Sequence, residues 1–190
     1  CGQCVISCPT GALTKHMQFP ELEASLHHPE KTVVAHYTPA VVASLAEEFH
    51  LKKGSDVKGL INAALRKSGF DFVFDGSFGG EVTIMEQAGV FKERVKKGGS
   101  LPLLSSSCPG WVTYVEQYRP ELIPHLSEVR SPQQIIGGLI KTWFAELNHL
   151  DPARIFSVAI TSCTAAKQES QRVELSRKGV NDIDAVLTTR

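Results

Sequence analysis

The sequence predicts an α/β fold built around a mostly parallel sheet. Short apolar segments rich in β-branched and aromatic residues alternate with longer segments in which apolar residues recur at helical spacing. That alternation is typical of βαβ units, because a helix has to carry the chain back before the next parallel strand can pair. The 15 glycines and 10 prolines fall mainly at the joints between segments, where turns require them. With 190 residues, the chain is long enough for one domain and a small appendage.

Each element follows from a local pattern. Strands are predicted at residues 31–37, 70–75, 101–105, 154–161 and 183–189, where β-branched or alternating apolar residues are concentrated. Helices are predicted at residues 41–50, 54–67 and 78–97, from 109, from 131 through 147, and from 164 to about 178. On the helix 78–97, Ile84, Ala88, Phe91 and Val95 lie on one face. The helix from 131 carries a wide apolar stripe that we expect to be core: Ile135, Ile136, Leu139, Ile140, Trp143, Phe144 and Leu147.

Composition excludes several classes of function. The 20 Lys and Arg residues balance 20 Asp and Glu residues, so the sequence predicts neither a nucleic-acid partner nor binding to an anionic membrane. No apolar run approaches the roughly 18 residues of a membrane span, and no signal peptide opens the sequence. The 5 cysteines show no disulfide-framework spacing. They therefore predict metal ligation in a reducing compartment, the cytoplasm.

Three cysteines at the start of the chain form a recognisable metal-binding pattern. Cys1, Cys4 and Cys8-Pro9 match the last three cysteines of the bacterial ferredoxin motif C-x₂-C-x₂-C-x₃-C-P. The final spacing followed by proline favours an iron–sulfur cluster over a zinc ribbon. Residues 1–13 are therefore interpreted as the truncated end of a ferredoxin-like 4Fe-4S domain that precedes the βαβ lobe, with residues 14–31 as a polar linker. In two-cluster ferredoxins the cysteine before proline ligates the other cluster. The motif therefore leaves open whether Cys8 ligates the same cluster as Cys1 and Cys4.

The two remaining cysteines are each expected between a strand and a helix. Cys108 follows the predicted strand 101–105 and precedes Pro109, which suits the first position of a helix. Its sulfur would face free backbone N–H groups, a setting that favours the thiolate. Cys163 ends the strand 154–161 in the same way. Since ligands gather outside the carboxyl ends of parallel strands, the pair predicts half of a metal site. Two buried structural cysteines are the alternative.

Both ends of the sequence are interpreted as lying inside folded segments, so the chain is interpreted as a fragment. The chain starts at Cys1 without a methionine and stops at Arg190, directly after a strand-like run. Residues 32–190 would then be the first part of a larger domain that continues beyond the C-terminus.

Five segments of the chain resemble the iron-only ([FeFe]) hydrogenases. The first is Ser105-Ser-Ser-Cys-Pro-Gly-Trp111, which resembles the family motif Thr-Ser-Cys-Cys-Pro-x-Trp. The second is Thr161-Ser-Cys-Thr-Ala-Ala-Lys-Gln-Glu169, which resembles Met-Pro-Cys-x-x-Lys-x-x-Glu. Residues 74–86, 131–134 and 182–190 also read like this family. The resemblance covers essentially the whole chain and implies that the βαβ lobe is the N-terminal part of a hydrogenase catalytic domain.

The resemblance implies a cofactor and a reaction. In this family a [4Fe–4S] cubane on four cysteines is bridged to a diiron unit that carries CO, cyanide and a dithiolate. Cys108 and Cys163 match the first two cubane ligands, and the other two would lie beyond Arg190, so the 190-residue piece is expected to be inactive alone. Pro39 and Gln133 match positions beside the diiron unit. The implied substrates are H₂ and protons, and the implied partner is a ferredoxin-like or other electron-transfer protein.

Several relay positions depart from the family pattern. Ser107 stands at the position of the proton-delivering cysteine, and a serine hydroxyl relays protons poorly unless it is assisted. Gln87 and Val90 stand where the family has two relay glutamates, whereas the relay serine is kept as Ser127. Gln87 forms hydrogen bonds but cannot change charge, and Val90 does neither.

Two positions near the implied diiron unit also depart from the pattern. Ala166 occupies the place of a lysine that contacts a cyanide, with Lys167 one position late, and Thr161 replaces a methionine.

Four functional interpretations follow. A sensory hydrogenase that binds H₂ with little turnover is favoured by Pro39, Gln133 and the N-terminal cysteines. A non-catalytic relative in cytosolic iron–sulfur assembly would keep cysteines but lose the diiron pocket. A plain electron-transfer module would leave Cys108 and Cys163 unused. A thiol enzyme with Cys108 as nucleophile lacks an evident base, since the nearest histidine in sequence, His125, lies in a polar turn.

Overall fold

A sheet of four parallel strands organises the chain. The computed structural model describes residues 2–52, 55–177 and 179–189. Its strands are β1 (Thr32–Tyr37), β2 (Phe72–Asp75), β3 (Ile155–Thr161) and β4 (Ala185–Thr188), in the spatial order β2-β1-β3-β4. Every neighbouring pair is parallel. The predicted α/β fold with a parallel sheet is therefore confirmed.

Helices connect the strands and pack on both faces of the sheet. They are α1 (Gln3–Ser7), α2 (Phe19–Leu26), α3 (Pro39–Glu48), α4 (Lys58–Lys67), α5 (Ser77–Lys97), α6 (Pro109–Tyr118), α7 (Pro132–Leu139), α8 (Ala145–Leu147) and α9 (Ala165–Ser170). A π-helical turn at Ile140–Phe144 joins α7 to α8, and 3₁₀ turns lie at Pro120–His125, Pro152–Arg154 and Val173–Leu175. Within the described residues, no helix is both long and apolar enough to cross a membrane.

The central strand β1 is buried on both faces. Val33 and Ala35 point into a cluster with Leu22 of α2. Val34 points to the opposite face and packs with Ile136 of α7. A strand that is covered on both sides reads as a continuous apolar run rather than an alternating one, which explains the pattern of residues 32–37. The result is a three-layer arrangement of helix, sheet and helix.

The strand order creates a switch point between β1 and β3. The chain leaves β1 toward β2 on one side, and it leaves β3 toward β4 on the other side. In open α/β sheets a crevice forms at the carboxyl ends of the strands at such a point. The backbone N–H of Thr38, just after β1, donates to Ile160 O of β3 at 3.1 Å. The residues that follow β1 and β3 are thereby held side by side.

Three predicted elements differ from the structure. Residues 101–105 form no strand of the sheet, because Leu104 bonds to the loop at residues 125–127 instead. The helix predicted to run to about Lys178 ends at Ser170, where the backbone becomes extended at Arg172 and lets its guanidinium pair with Glu116 of α6. Helix α4 begins at Lys58, while the predicted start at Gly54 lies outside the described residues.

The segment predicted as a polar linker contains a helix. Leu22 of α2 is 2% exposed and belongs to the core cluster of the sheet. Just before this helix, Gln18 Oε1 accepts a hydrogen bond from Val186 N at the outer edge of β4. The segment therefore packs against the domain, because one apolar residue and one amide suffice to attach a short amphipathic helix.

The apolar stripe of residues 135–147 is core only in part. Ile136 and Ile140 are buried as predicted, whereas Trp143 and Leu147 are exposed. On α5, all four residues of the apolar face, Ile84, Ala88, Phe91 and Val95, are exposed.

Helices α5 and α7 cross at a glycine. A Cβ added at Gly79 would lie 2.5 Å from the carbonyl oxygen of Pro132 and 2.6 Å from Cγ1 of Ile136. The lack of a side chain lets the two helices approach closely.

We expect Gly79→Ala to lower the free energy of unfolding by about 1–3 kcal/mol, because the added methyl overlaps a backbone atom that cannot move alone. Gly89→Ala in the same helix is the matched control, since a Cβ there meets nothing within 4 Å; it should raise the free energy by about 0.5–1 kcal/mol through helix propensity. Urea unfolding of both variants measures the difference. Equal effects would show that the crossing tolerates a side chain.

Candidate functional site

Cys108 and Cys163 lie at the first turns of two helices that pack together. Cys163 follows β3 and precedes α9, as predicted. Cys108 is the extended N-cap residue of α6, but a loop precedes it, so the predicted strand-to-helix junction is wrong at this position. A Cβ added at Gly110 of α6 would lie 3.9 Å from Cβ of Ala165 of α9. The two helix starts therefore meet at the carboxyl end of the sheet.

Within the described residues, the thiol of Cys108 forms no hydrogen bond with a basic side chain. Its side chain is exposed and that of Cys163 is half-buried, and both are free thiols. His125 Nδ1 lies 3.1 Å from the carbonyl oxygen of Pro102, so its ring is engaged in the loop. In residues 2–52, 55–177 and 179–189, no group of three or more His, Cys, Asp or Glu side chains is arranged to hold a metal ion.

The N-terminal cysteine segment lies against the loop that carries Cys163. A Cβ added at Gly2 would lie 3.1 Å from Oγ1 of Thr164. Beside this contact, a cleft of about 710 Å³ is lined by the N-terminal segment and by residues that follow β3 and β4. Cys1 lies outside the described residues. Cys4 is exposed and Cys8 is half-buried.

Cys8 has an acidic thiol. The Thr10 hydroxyl, 3.5 Å from its sulfur, and then the backbone N–H of Leu13 lower its pKa to about 7. The thiolate, which is the metal-binding form, is accordingly accessible near neutral pH.

Three predicted relay positions form or border one hydrogen-bonded cluster. Gln87 Nε2 of α5 donates to Ser105 Oγ at 3.1 Å and lies 3.4 Å from Ser107 Oγ, while Ser105 Oγ donates to Ser107 Oγ at 3.1 Å. None of these groups titrates near neutral pH. Val90, one helical turn further along α5, is half-buried and apolar. Gln87, Ser105 and Ser107 are therefore joined by hydrogen bonds between groups that do not ionise.

The kept serine, Ser127, is buried in the neighbouring loop. Ser106 Oγ donates to Ser127 O at 2.5 Å, and Ser127 Oγ accepts from Val129 N at 3.2 Å. Arg94 of α5 attaches this loop to the helix, because its guanidinium donates to carbonyl oxygens that include Leu126 O at 2.6 Å. The sequence contains no local signal for this role of Arg94, since its partners lie about 30 residues away.

Pro39 and Gln133 line one cavity of about 440 Å³. The cavity lies at the start of α3, α5 and α7, and its wall also includes His36, Thr38 and Ser77. Neither His36 nor Thr38 is predicted from the sequence as a site residue. A histidine in the middle of an apolar strand is the only signal that could have suggested one of them.

Gln133 is held by a buried carboxylate. Its Nε2 donates to Glu169 Oε2 at 2.5 Å and to Ala166 O at 3.3 Å, and Ser131 Oγ donates to the same carboxylate at 2.8 Å. Burial raises the pKa of Glu169, although both hydrogen bonds oppose the change. These contacts fix the side chain of Gln133 between α7 and α9.

Lys167 is used inside the fold. Its Nζ donates to Val186 O at 2.5 Å on the outer edge of β4, and burial lowers its pKa. Ala166, the position of the family lysine, is 3% exposed. Thr161, at the position of the family methionine, is also buried, and its Oγ1 lies 3.4 Å from Cys163 N. The ammonium group of Lys167 is therefore engaged by a backbone carbonyl of β4.

Comparison with known proteins shows the family. The model of the iron only hydrogenase large subunit, C-terminal domain, matches residues 31–190. The chain belongs to the iron-only hydrogenase family. It is 44% identical to iron hydrogenase 1 of Clostridium pasteurianum over 182 residues, covering 96% of this chain and 32% of that protein. It is also 34% identical to cytosolic iron-sulfur assembly component 3 of Pongo abelii, covering 100% and 42%.

Solved hydrogenase structures share the fold. An apo [FeFe]-hydrogenase variant from Chlamydomonas reinhardtii superposes with a TM-score of 0.84 at 31% identity, covering 90% of this chain and 45% of that one. The chain spans between 31% and 42% of the length of the curated relatives that it matches. The resemblance seen in the motifs is thus confirmed at the level of the family.

We expect Glu169→Gln to flatten the pH dependence of stability. Because the folded-state pKa of Glu169 is raised, the unfolded chain releases this proton first, and stability falls as pH rises from the ordinary glutamate value, about 4.3, through the raised one. The amide removes that loss while keeping an acceptor for Ser131 and Gln133. Urea unfolding across this pH range measures it, with the exposed Glu174→Gln as control. An unchanged pH profile would contradict the raised pKa.

Proposed function

We propose that the chain is part of the catalytic domain of an [FeFe]-hydrogenase-type iron–sulfur oxidoreductase, with a weakened proton relay that suits H₂ sensing or slow turnover. The reaction is 2H⁺ + 2e⁻ ⇌ H₂. The observation that carries the proposal is the cluster of Gln87, Ser105 and Ser107. It keeps hydrogen-bonded contact from α5 to the loop before Cys108, and it lacks groups that exchange a proton with water near neutral pH.

The residues present fit the cofactors of the family. Cys108 and Cys163 would supply two of the four thiolates of a [4Fe–4S] cubane, and thiolates are the ligands that such clusters require. A diiron unit would lie beside Pro39 and Gln133, which line one cavity. When bound, this cofactor supplies the redox chemistry of hydrogen. In the chain itself, the carboxylate of Glu169 positions the side chain of Gln133. The side chains along the proposed proton route are neutral.

The N-terminal cysteines would supply an electron route. Cys1, Cys4 and Cys8 are assigned to the end of a ferredoxin-like domain at residues 1–13, with the catalytic domain beginning at about residue 32. The contact between Gly2 and Thr164 supports this, because it places the cysteine segment next to the Cys163 loop. The partner would be a ferredoxin-like or other electron-transfer protein. The cysteine usage and the absence of a membrane-spanning helix in the described residues support a cytoplasmic location.

A non-catalytic role in cytosolic iron–sulfur assembly is the second candidate. The observation in its favour is the contact of Lys167 with Val186 O, which leaves the second motif without a lysine free to reach a cofactor. Pro39 and Gln133, which line a common cavity, argue for the first candidate instead.

The cluster assignment predicts a specific loss of iron. In the longer protein reconstituted with iron and sulfide, Cys108→Ala and Cys163→Ala should each remove one cluster's worth of iron and leave the ferredoxin-type cluster intact. Cys4→Ala is the matched control, because it should remove the other cluster only. Iron content and the electron paramagnetic resonance of the reduced clusters distinguish the two losses. Unchanged iron in both variants would show that Cys108 and Cys163 are structural.

The relay assignment predicts a cooperative gain in turnover. In the longer, matured protein, Ser107→Cys alone should raise H₂ evolution only slightly, because Val90 still interrupts the chain of proton carriers. The triple variant with Gln87→Glu and Val90→Glu should raise it by roughly 10²–10⁴-fold, the usual contribution of general acid–base transfer.

Folding of the triple variant must be compared with that of the unmodified protein, since two new carboxylates near a partly buried surface cost stability unless they are hydrogen-bonded. High H₂ evolution by the unmodified protein would show that protons take another route and would remove the support for a sensory role.

A further inference from the structure

The two helices that follow Cys108 and Cys163 are in contact with each other. Cys108 is the N-cap residue of α6, and Cys163 lies two residues before the start of α9. The first turns of these helices approach closely, because a Cβ added at Gly110 would lie 3.9 Å from Cβ of Ala165. A displacement of one helix relative to the other would therefore change the distance between the two cysteines.

Helix α9 is too short to hold its own position. It contains six residues, and isolated helices shorter than about 12–15 residues are marginal in water. Lys167 attaches it to β4, and Glu169 attaches it to α7. A third contact attaches the segment to α6, because Arg172, which follows α9, forms an ion pair with Glu116. The position of α9 relative to the helix of the other cysteine therefore depends on this third contact.

Arg172 and Glu116 form a bidentate ion pair. Arg172 Nη1 donates to Glu116 Oε1 at 2.7 Å, and Arg172 Nη2 donates to Glu116 Oε2 at 2.6 Å. Two parallel hydrogen bonds fix the orientation of the partners as well as their distance. The side chain of Arg172 is 19% exposed, so water screens the pair only in part. The hydrogen bonds from Arg172 lower the pKa of Glu116, which is therefore ionised at neutral pH.

The backbone holds Arg172 where it faces α6. Arg172 N donates to Glu169 O at 3.1 Å, and the chain becomes extended at Arg172. Its Nη1 also lies 3.4 Å from Glu174 Oε1, a longer contact within the same segment. Among the ion pairs in the described part of the chain, the pair of Arg172 with Glu116 is the one that joins α6 to the segment after Cys163.

We propose that the Arg172–Glu116 ion pair sets the separation of Cys108 and Cys163, and with it the fit of their thiolates to an iron–sulfur cluster. The inference rests on the proposed function, because it takes both cysteines as ligands of one cluster. A cubane requires its thiolates at fixed positions, so two helices contribute ligands to it only while they keep their relative position. Arg172 and Glu116 are positioning residues, which act through the helices.

The test measures the release of iron from the full-length protein after reconstitution with iron and sulfide. Glu116→Gln removes the charge of one partner, whereas Arg172→Lys keeps the charge and removes the planar fork that binds both oxygens. In each variant an excess of an iron chelator should remove the cluster on Cys108 and Cys163 roughly threefold to tenfold faster, as expected for one lost hydrogen bond. The ferredoxin-type cluster should be released at its original rate.

Electron paramagnetic resonance provides a readout that a purely structural ion pair would not change. In both variants the signal of the reduced cluster on Cys108 and Cys163 should shift and broaden, because the thiolates no longer keep one arrangement. The signal of the ferredoxin-type cluster should stay as it is. The double variant of Glu116→Gln with Arg172→Lys should behave like either single variant, because both substitutions disrupt the same contact.

A matched control is the ion pair of Arg119 with Glu121, just after α6. The chemistry of this pair is the same, but its two residues are neighbours in the chain and the contact joins α6 to no other helix. Glu121→Gln should therefore leave the release of iron and both signals unchanged.

Two results would overturn the inference alone. One is a cluster on Cys108 and Cys163 whose release and signal are unchanged in Glu116→Gln and Arg172→Lys. The other is equally faster release of both clusters, which would show that the ion pair stabilises the protein as a whole. Iron content that stays the same in Cys108→Ala and Cys163→Ala would instead overturn the proposed function, and this inference with it.

Discussion

The parallel pairing of β1 with β3 is the constraint on which the site depends. These strands run side by side over six residue pairs, from Thr32 with Ile155 to Tyr37 with Ile160, while the chain leaves them in opposite directions. The backbone that follows each strand must therefore emerge at one crevice, where Pro39 and Cys163 are found. Burial of β1 on both faces supports this pairing, because its apolar side chains pack in core clusters on either side of the sheet.

The loop before Cys108 is attached to helix α5 by side-chain hydrogen bonds. The side chain of Gln87 donates to Ser105 and Ser107. Arg94 contributes to the same attachment by donating to carbonyl oxygens of the neighbouring loop. The position of the loop therefore depends on contacts between residues far apart in the chain, whereas the capacity of each group to ionise depends on residue type alone.

Some residues whose type suggests a role in a functional site instead stabilise the fold. Lys167 satisfies a carbonyl at the edge of β4, and Gln18 satisfies the N–H of the same residue, so two side chains cover an edge that would otherwise be open to another strand. Thr38 lies where a helix cap is expected and yet makes no cap.

The sequence by itself determined the α/β class, the four strands that pair, the cysteine positions and the family, because periodicity, spacing and residue type are local properties. It could not determine that residues 101–105 would bond to a neighbouring loop, or that Ile84 would be exposed, because apolar patterns specify a buried face without naming what buries it. The convergence of Pro39 and Gln133 on one cavity was also decided by tertiary structure. The hydrogen bond between Gln133 and Glu169 joins residues far apart in the chain, so only the packed sheet and helices decide which polar atoms are satisfied.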